Sequence, residues 1–424
     1  MITAPDRTAR PGTNLPRVPR SVLIVGGALL LLAVVRVLTG ADDLTSAGTF
    51  SASLRLAVPI ALVALGGVYA ERSGVVNIGL EGMMILGTWF GAYGGVQWGP
   101  WWGVVLGIVG GALGGALHAL ATVTFNVDHV VSGVAINILG AAVARYLSVI
   151  AYTGDGAIPG GGVTQSPKIT GHIGQVDLPF LAGGLGTPDV LGRIARWRWF
   201  LISDVAAVLR ALTGDLSLLT VLTFALVGFS VFLLWHTAFG LRLRSVGEHP
   251  TAAETVGVDV YRMKYVGVIV SGALAGLGGA FLVLEQGSIY HEGQTGGRGF
   301  IGLASVIFGN WRPVGAAAGA MLFGFADALQ LRNSEAVHAL LLFVAIAAGL
   351  GALYGAYKRQ VVRTVVLGVV AAGFALWFAT SDVVPSQFVT ATPYVATLLV
   401  LTFATQRLRM PAADGQPYRK GQSG

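Results

Sequence analysis

From Ser21 almost to its end the chain alternates long apolar runs with short polar breaks. The runs cover 21–38, 52–70, 78–96, 102–123, 129–151 and 217–236, then 263–284, 300–311, 314–330, 336–355, 362–380 and 390–405. A transmembrane helix needs about 20 predominantly apolar residues. The pattern therefore predicts an all-α polytopic membrane protein with about 10–12 transmembrane or half-spanning helices.

Composition agrees with a chain whose solvent is the bilayer. Of 424 residues 54% are hydrophobic and 11% charged, against about a quarter charged in an ordinary soluble domain. That polar surface is too small to coat a globule. The 62 glycines read first as contact surface, because small residues let helices approach closely where lipid removes the hydrophobic drive. With no cysteine, disulfides, thiolate nucleophiles and Cys-based zinc sites are excluded. The net charge of +7 sits at the ends of apolar runs. It therefore reads as a topology signal and not as a nucleic-acid surface.

Arg7, Arg10, Arg17 and Arg20 mark residues 1–20 as a basic cytoplasmic tail, and 21–38 as an uncleaved anchor helix. The main membrane domain spans 52–405. Counting spans alternately puts 242–264, 358–363 and the C-terminal tail 406–424 on the cytoplasmic side, in keeping with the positive-inside rule. The same count places 152–215 outside as an insertion. Its first part is rich in Gly, Pro, Thr and Asp, and Arg193–Trp199 predicts a surface-lying helix. Asp155, His172 and Asp177 within it are ordinary loop polarity.

An internal repeat is legible. Ile78–Trp89, IGLEGMMILGTW, resembles Ile301–Trp311, IGLASVIFGNW. Upstream, Leu65-Gly66-Gly67 and Glu71 match Leu277-Gly278-Gly279 and Glu285. Downstream, Gly111-Ala112 and Gly115-Ala116 match Gly315-Ala316 and Gly319-Ala320. The span count runs the two copies in opposite directions, an inverted repeat of the kind transporters use. In that architecture the solute path lies near the midplane at interrupted helices. This singles out the glycine-rich approaches 73–82 and 293–302.

Asn77 and Glu81 lie four residues apart on one helical face, where a carboxylate in lipid is costly. Either they line a polar route, or Glu81 pairs with Arg72 or Arg145. Asp128 and His129 mark a turn. Asn137 is a lone amide in an apolar run, suited equally to helix-to-helix bonding or to solute contact. The polar segment 238–264 lies between two spans. Within it Thr251–Val256 predicts a short helix after Pro250, ended by Gly257, that projects rigidly toward a soluble partner. The chain has no phosphate-binding GxxxxGK[ST] loop. ATP hydrolysis, if used, belongs to another polypeptide.

Residues Glu71–Met84, ERSGVVNIGLEGMM, and Val127–Leu139, VDHVVSGVAINIL, resemble the nucleoside-type branch of a known family. These are the inner-membrane permeases of ATP-binding cassette importers for branched-chain amino acids, ribose and related sugars, and nucleosides. The segment GLRLRSVGEHPTAAETVGV is similar to that family's ATPase-contacting loop, and RGFIGLASVIFGNWRP and the stretch from ATPY to GQPY also match. The 152–215 insertion departs from the typical member.

The resemblance implies a non-enzymatic permease domain over 52–405, with 238–264 as the coupling loop. Gly240, Arg242, Arg244, Gly247, Glu248, Ala252, Ala253 and Gly257 are its coupling residues, and Asn77, Glu81 and Asn137 its solute path. It implies a prokaryotic cytoplasmic membrane location, both termini cytoplasmic, and lipid contacts all round. The implied partners are a second related permease, an ABC ATPase carrying ATP and magnesium, and an extracytoplasmic solute-binding lipoprotein. No cofactor or metal is expected in this chain, and no nucleic acid. A sugar or branched-chain amino acid permease shares the fold and the loop. An ion-coupled secondary carrier would show inverted repeats without an ATPase-docking segment. A membrane enzyme would need convergent acids and bases, whereas the seven histidines are scattered.

Overall fold

The computed structural model describes residues 20–331, 334–385 and 408–421, nearly all of them α-helical or connecting helices. The helices in chain order are α1 (Arg20–Thr39), α2 (Ala47–Arg72), α3 (Leu80–Trp98), α4 (Pro100–Ala119) and α5 (His129–Tyr152). Then come α6 (Val190–Arg196), α7 (Ile202–Ala211), α8 (Leu218–His236), α9 (Ala238–Glu248), α10 (Pro250–Thr255) and α11 (Val260–Phe281). The last are α12 (Arg298–Phe308), α13 (Pro313–Gln330), α14 (Ser334–Tyr357) and α15 (Val361–Thr380). Each apolar run predicted up to 380 coincides with one of them. Residues 1–19 and the run 390–405 lie outside the described residues. Seven of the described helices are long and apolar enough to cross a membrane, so the chain is a multi-pass membrane protein.

Local chemistry accounts for the boundaries. The side chains of Ser46, Asp128, Ser217 and Asp259 accept the free amides that open α2, α5, α8 and α11. Proline occupies the first turn of α4, α10 and α13, where it forfeits no hydrogen bond. Gly257, at φ +83°, closes α10 as predicted. The predicted projection is larger than one short helix: α9 precedes α10, capped by Thr237, whose hydroxyl accepts from Gly240 N.

The bundle realises the inverted repeat. α2 packs against α11, α12 and α13, while α11 packs against α2, α3 and α4. Neighbouring pairs give the directions. Gly66 lies on Ser271 and Gly278 on Pro59, so α2 and α11 are antiparallel. Gly302 meets Val63 and Gly67 meets Val306, so α12 runs parallel to α2; Gly87 meets Gly276 and Gly91 meets Ala280, so α3 runs parallel to α11. Exchanging α2–α3–α4 for α11–α12–α13 therefore preserves the packing and inverts the direction.

Glycine makes the centre possible. Gly107, Gly111 and Gly115 recur every fourth residue on α4 and face Gly272, Gly276 and Ala280 of α11. A Cβ on Gly111 would stand 2.2 Å from the Gly272 carbonyl oxygen, and one on Gly276 would stand 2.2 Å from that of Gly107. The backbones touch, as small-residue seams in lipid allow.

The insertion after α5 is folded onto the bundle, at the end opposite α9 and α10. Gln175 and Val176 pair antiparallel with Ser217 and Leu216. Arg193 and Arg196 lie on α6, followed by Trp197 and Trp199, whose rings lie 4.9 Å apart. α7 buries Ala206, Ala207 and Ala211. Its buried Asp204 pairs with Arg36 of α1 at 3.3 Å and accepts from the Thr45 hydroxyl. The predicted anchor is thus tied to the insertion by a shielded ion pair.

Gly111→Ala drives a methyl group into backbone, so it is expected to lower stability by about 1–3 kcal/mol. Gly368→Ala, with open space at its Cβ, should be neutral. Thermal unfolding of the detergent-solubilised protein compares the two, and equal midpoints would contradict the seam.

Candidate functional site

Two helices begin inside the bundle instead of at its surface. The non-helical approach Ser73–Gly79 climbs from the α9–α10 end to α3, passing Ser271 midway along α11. A second approach, Ser288–Gly297, descends to α12. That helix starts beside Glu81 and meets the middle of α2 at Val63. Backbone that leaves a helix within an apolar interior must find hydrogen-bond partners in the protein.

The first approach finds them in side chains from three other helices. Lys264 Nζ donates to the Gly74 carbonyl at 3.1 Å. Val76 N donates to His129 Nδ1 at 3.2 Å, and the Val76 carbonyl faces His118 Nε2 at 3.2 Å. The other ring nitrogen of His118 meets the Ser132 hydroxyl at 2.8 Å. Asn137 spans the start of α3: its amide donates to the Ile78 carbonyl at 3.0 Å, and its oxygen accepts from Gly82 N at 2.7 Å. Gly79, Gly82, Gly133 and Gly140 leave room for this crossing, with α5 backbone resting on α3 backbone.

Asn77, fully buried, donates to the Ser271 hydroxyl at 3.0 Å. Its side-chain oxygen has no hydrogen-bond partner. An amide oxygen in that position retains an unused acceptor.

Glu81 serves the second approach. Its carboxylate accepts from Gly297 N at 3.1 Å and Gly299 N at 2.6 Å. It thereby caps α12 with negative charge at the positive end of the helix dipole. A Cβ on Gly299 would meet Glu81 backbone at 2.5 Å, so glycine is required for this approach. The anticipated pairing of Glu81 with Arg72 or Arg145 is not formed. Arg72 is drawn instead to Glu248 at 3.6 Å and donates to the Trp311 carbonyl, while Arg145 pairs with Glu292 at 3.5 Å. Arg298, beside the capped amides, pairs with Asp327 at 3.7 Å. Glu71 accepts from the indole N–H of Trp311, joining the end of α2 to the turn after α12.

The three nominated solute-path residues thus meet around the start of α3, two of them holding backbone and one with a free acceptor. Sequence reading missed His118, Ser132, Lys264 and Ser271. The available signal was a histidine and a lysine inside apolar runs, each too costly there without a partner.

The α9–α10 residues separate into two groups. Gly240, Gly247 and Ala253 are buried, and a Cβ on Gly240 or Gly247 would strike the backbone of α8 or of Arg72. Arg244 donates to the Leu234 carbonyl at 2.9 Å and lies over the Trp235 ring, and Glu248 holds Arg72. Arg242, Ala252 and Gly257 face outward. They do so together with Leu241 and Val256, exposed by 62% and 78%, which residue type alone had not marked.

Residues 49–348 match the family described as branched-chain amino acid transport system, permease component. The chain belongs to this family. The permease is 34% identical over 377 residues to the guanosine ABC transporter permease protein NupQ of Bacillus subtilis, covering 87% of this chain and 96% of that one. It is 30% identical to the nucleoside ABC transporter permease protein NupC of Lactococcus lactis, over 85% and 93%. It is also 30% identical to a putative glucose ABC transporter permease protein, TsgC13, of Haloferax volcanii, over 88% and 98%. No solved structure matches the permease.

Glu81→Ala leaves the buried Gly299 amide and the half-buried Gly297 amide unpaired, at about 1–3 kcal/mol for the buried one and less for the other. It is expected to depress the unfolding temperature well below that of Glu81→Gln, which keeps one acceptor. Indistinguishable melting curves for the two variants and the parent would remove the capping role.

Proposed function

We propose that this chain is the membrane permease subunit of an ATP-binding cassette importer whose solute is a nucleoside. The observation that carries the solute class is the similarity along most of both chains to NupQ and NupC, whose names specify guanosine and nucleosides. Asn77 supports it. A buried amide oxygen without a partner suits a solute rich in hydroxyl and N–H donors, and it lies beside two interrupted helices at mid-depth, where transporters of inverted-repeat architecture bind.

In this reading α9 and α10 face the cytoplasm with both termini, and the insertion after α5 lies outside. Leu241, Arg242, Ala252, Val256 and Gly257 form the docking face for a separate ATPase that carries ATP and magnesium. A second, related permease and an extracytoplasmic solute-binding lipoprotein complete the assembly. Alternating exposure of the centre follows from ATP-driven shifts between two states of the complex. A sugar is the second reading, favoured by the resemblance to the putative glucose permease.

Cells with and without the chain, energised or depleted of ATP, are to be supplied with radiolabelled guanosine, other nucleosides, ribose, glucose and leucine. ATP-dependent nucleoside uptake that disappears with the chain is the expected result. Loss of sugar or leucine uptake alone would reassign the solute, and uptake indifferent to ATP would sink the importer. Asn77→Ala should reduce nucleoside uptake per folded transporter roughly 2- to 10-fold, the value of one hydrogen bond, and lower the melting temperature modestly because the buried bond to Ser271 is lost with it.

A further inference from the structure

Residues 408–421 lie across the α9–α10 end of the bundle without helix or strand of their own, yet Ala413, Asp414 and Tyr418 are each at most 7% exposed. A terminal segment is normally ordered only where docking contacts offset its conformational entropy. Here those contacts reach four parts of the molecule.

Toward α9, Ala413 N donates to the Gly247 carbonyl at 2.9 Å, and Ala412 N donates to Glu248 Oε2 at 3.2 Å. Toward α10, the Tyr418 hydroxyl donates to Glu254 Oε2 at 2.5 Å. The Tyr418 ring packs with Val246, Ala253 and Val260, 5.6 Å from the ring of Tyr261. Toward the turn after α12, Arg409 N donates to Asn310 Oδ1 at 2.7 Å.

The inner edge of the segment touches the approach to α3. A Cβ on Gly74 would lie 3.3 Å from both the Ala413 carbonyl oxygen and Gly247 Cα, and one on Gly415 would lie 3.3 Å from the Val76 side chain. Val76 is the residue whose amide and carbonyl His129 and His118 hold. Asp414 enters this region beside Lys264 and Arg72. Its carboxyl is pushed up to about 8 by burial and by the nearby Glu71, against the pull of Lys264 and Arg72.

Resting on the importer reading above, we propose that residues 408–421 are a coupling strap that makes α9, α10 and the Ser73–Gly79 approach move as one body. Displacement of α9–α10 by the ATPase then reaches the buried start of α3 through Gly247, Ala413, Gly74 and Val76. Packed side chains, hydrogen bonds and rigid elements can carry energetic coupling between sites, and this strap makes such contacts with α9, α10 and the approach to α3 at once.

The test uses the assembled complex in liposomes, reading nucleoside uptake and ATP hydrolysis together, with hydrogen exchange of the strap as the docking readout. Two variants are made: a chain ending after residue 407, and Tyr418→Ala, which removes one anchoring ring should the shortened chain fail to accumulate. Both are expected to co-purify with the ATPase and to hydrolyse ATP. Nucleoside moved per ATP should fall roughly tenfold in the first and several-fold in the second, on the scale of the hydrogen bonds and contacts removed. Faster exchange of the strap in Tyr418→Ala with unchanged transport per ATP would overturn the strap. A parental complex that hydrolyses ATP but moves no nucleoside, or that never binds the ATPase, would instead overturn the reading on which it rests.

Discussion

Satisfying exposed backbone inside an apolar bundle is the constraint on which the rest of this molecule depends. Two chain segments leave helical geometry at mid-depth, and each brings amides and carbonyls that hydrocarbon cannot satisfy. Water is one remedy and protein groups are another. Here His118, His129, Asn137 and Lys264 serve the first approach, and the Glu81 carboxylate serves the second. The same demand explains why costly polar side chains are tolerated within helices that are otherwise apolar. It also explains why Asn77, with an oxygen left over, differs from its neighbours: the others hold the backbone, whereas Asn77 has hydrogen-bonding capacity to spare.

The glycine content follows from that architecture. Side chains can reach the broken segments only if the surrounding helices approach almost to backbone contact. α3, α4 and α11 do so through the seam of Gly87, Gly107, Gly111, Gly272 and Gly276. Because α2 and α11 head the two repeats and run antiparallel, each discontinuous helix lies along the leading helix of the opposite copy. A carboxylate in one repeat, Glu81, therefore caps the helix of the other. The centre is a joint product of both halves, and either half alone would leave unpaired groups.

At the α9–α10 end the same economy of contacts separates the residues that fasten the helices from those that face outward. Gly240, Gly247, Arg244 and Glu248 are consumed in fastening α9 to α2 and α8, which leaves the outward face to Leu241, Arg242, Ala252, Val256 and Gly257. A rigidly fastened projection can transmit force, whereas a loose loop would absorb it.

The sequence by itself determined the all-α membrane class, the apolar runs that became helices, the short helix after Pro250 and the inverted repeat. Each of these is a local or periodic property: run length, capping residue, proline and glycine position, or self-similarity. It also located the centre, since Asn77, Glu81 and Asn137 stand at the glycine-rich break. Only the tertiary structure decided what they do. Glu81 met neither arginine proposed for it but amides 216 and 218 residues away, and Gly247 proved to be packing surface against Arg72. The contributions of His118 and Lys264 likewise became visible only once α4 and α11 had been brought to the broken strand of chain. Hydrogen-bond partners of buried groups are set by which helices become neighbours, and that is a long-range outcome of packing that no local pattern encodes.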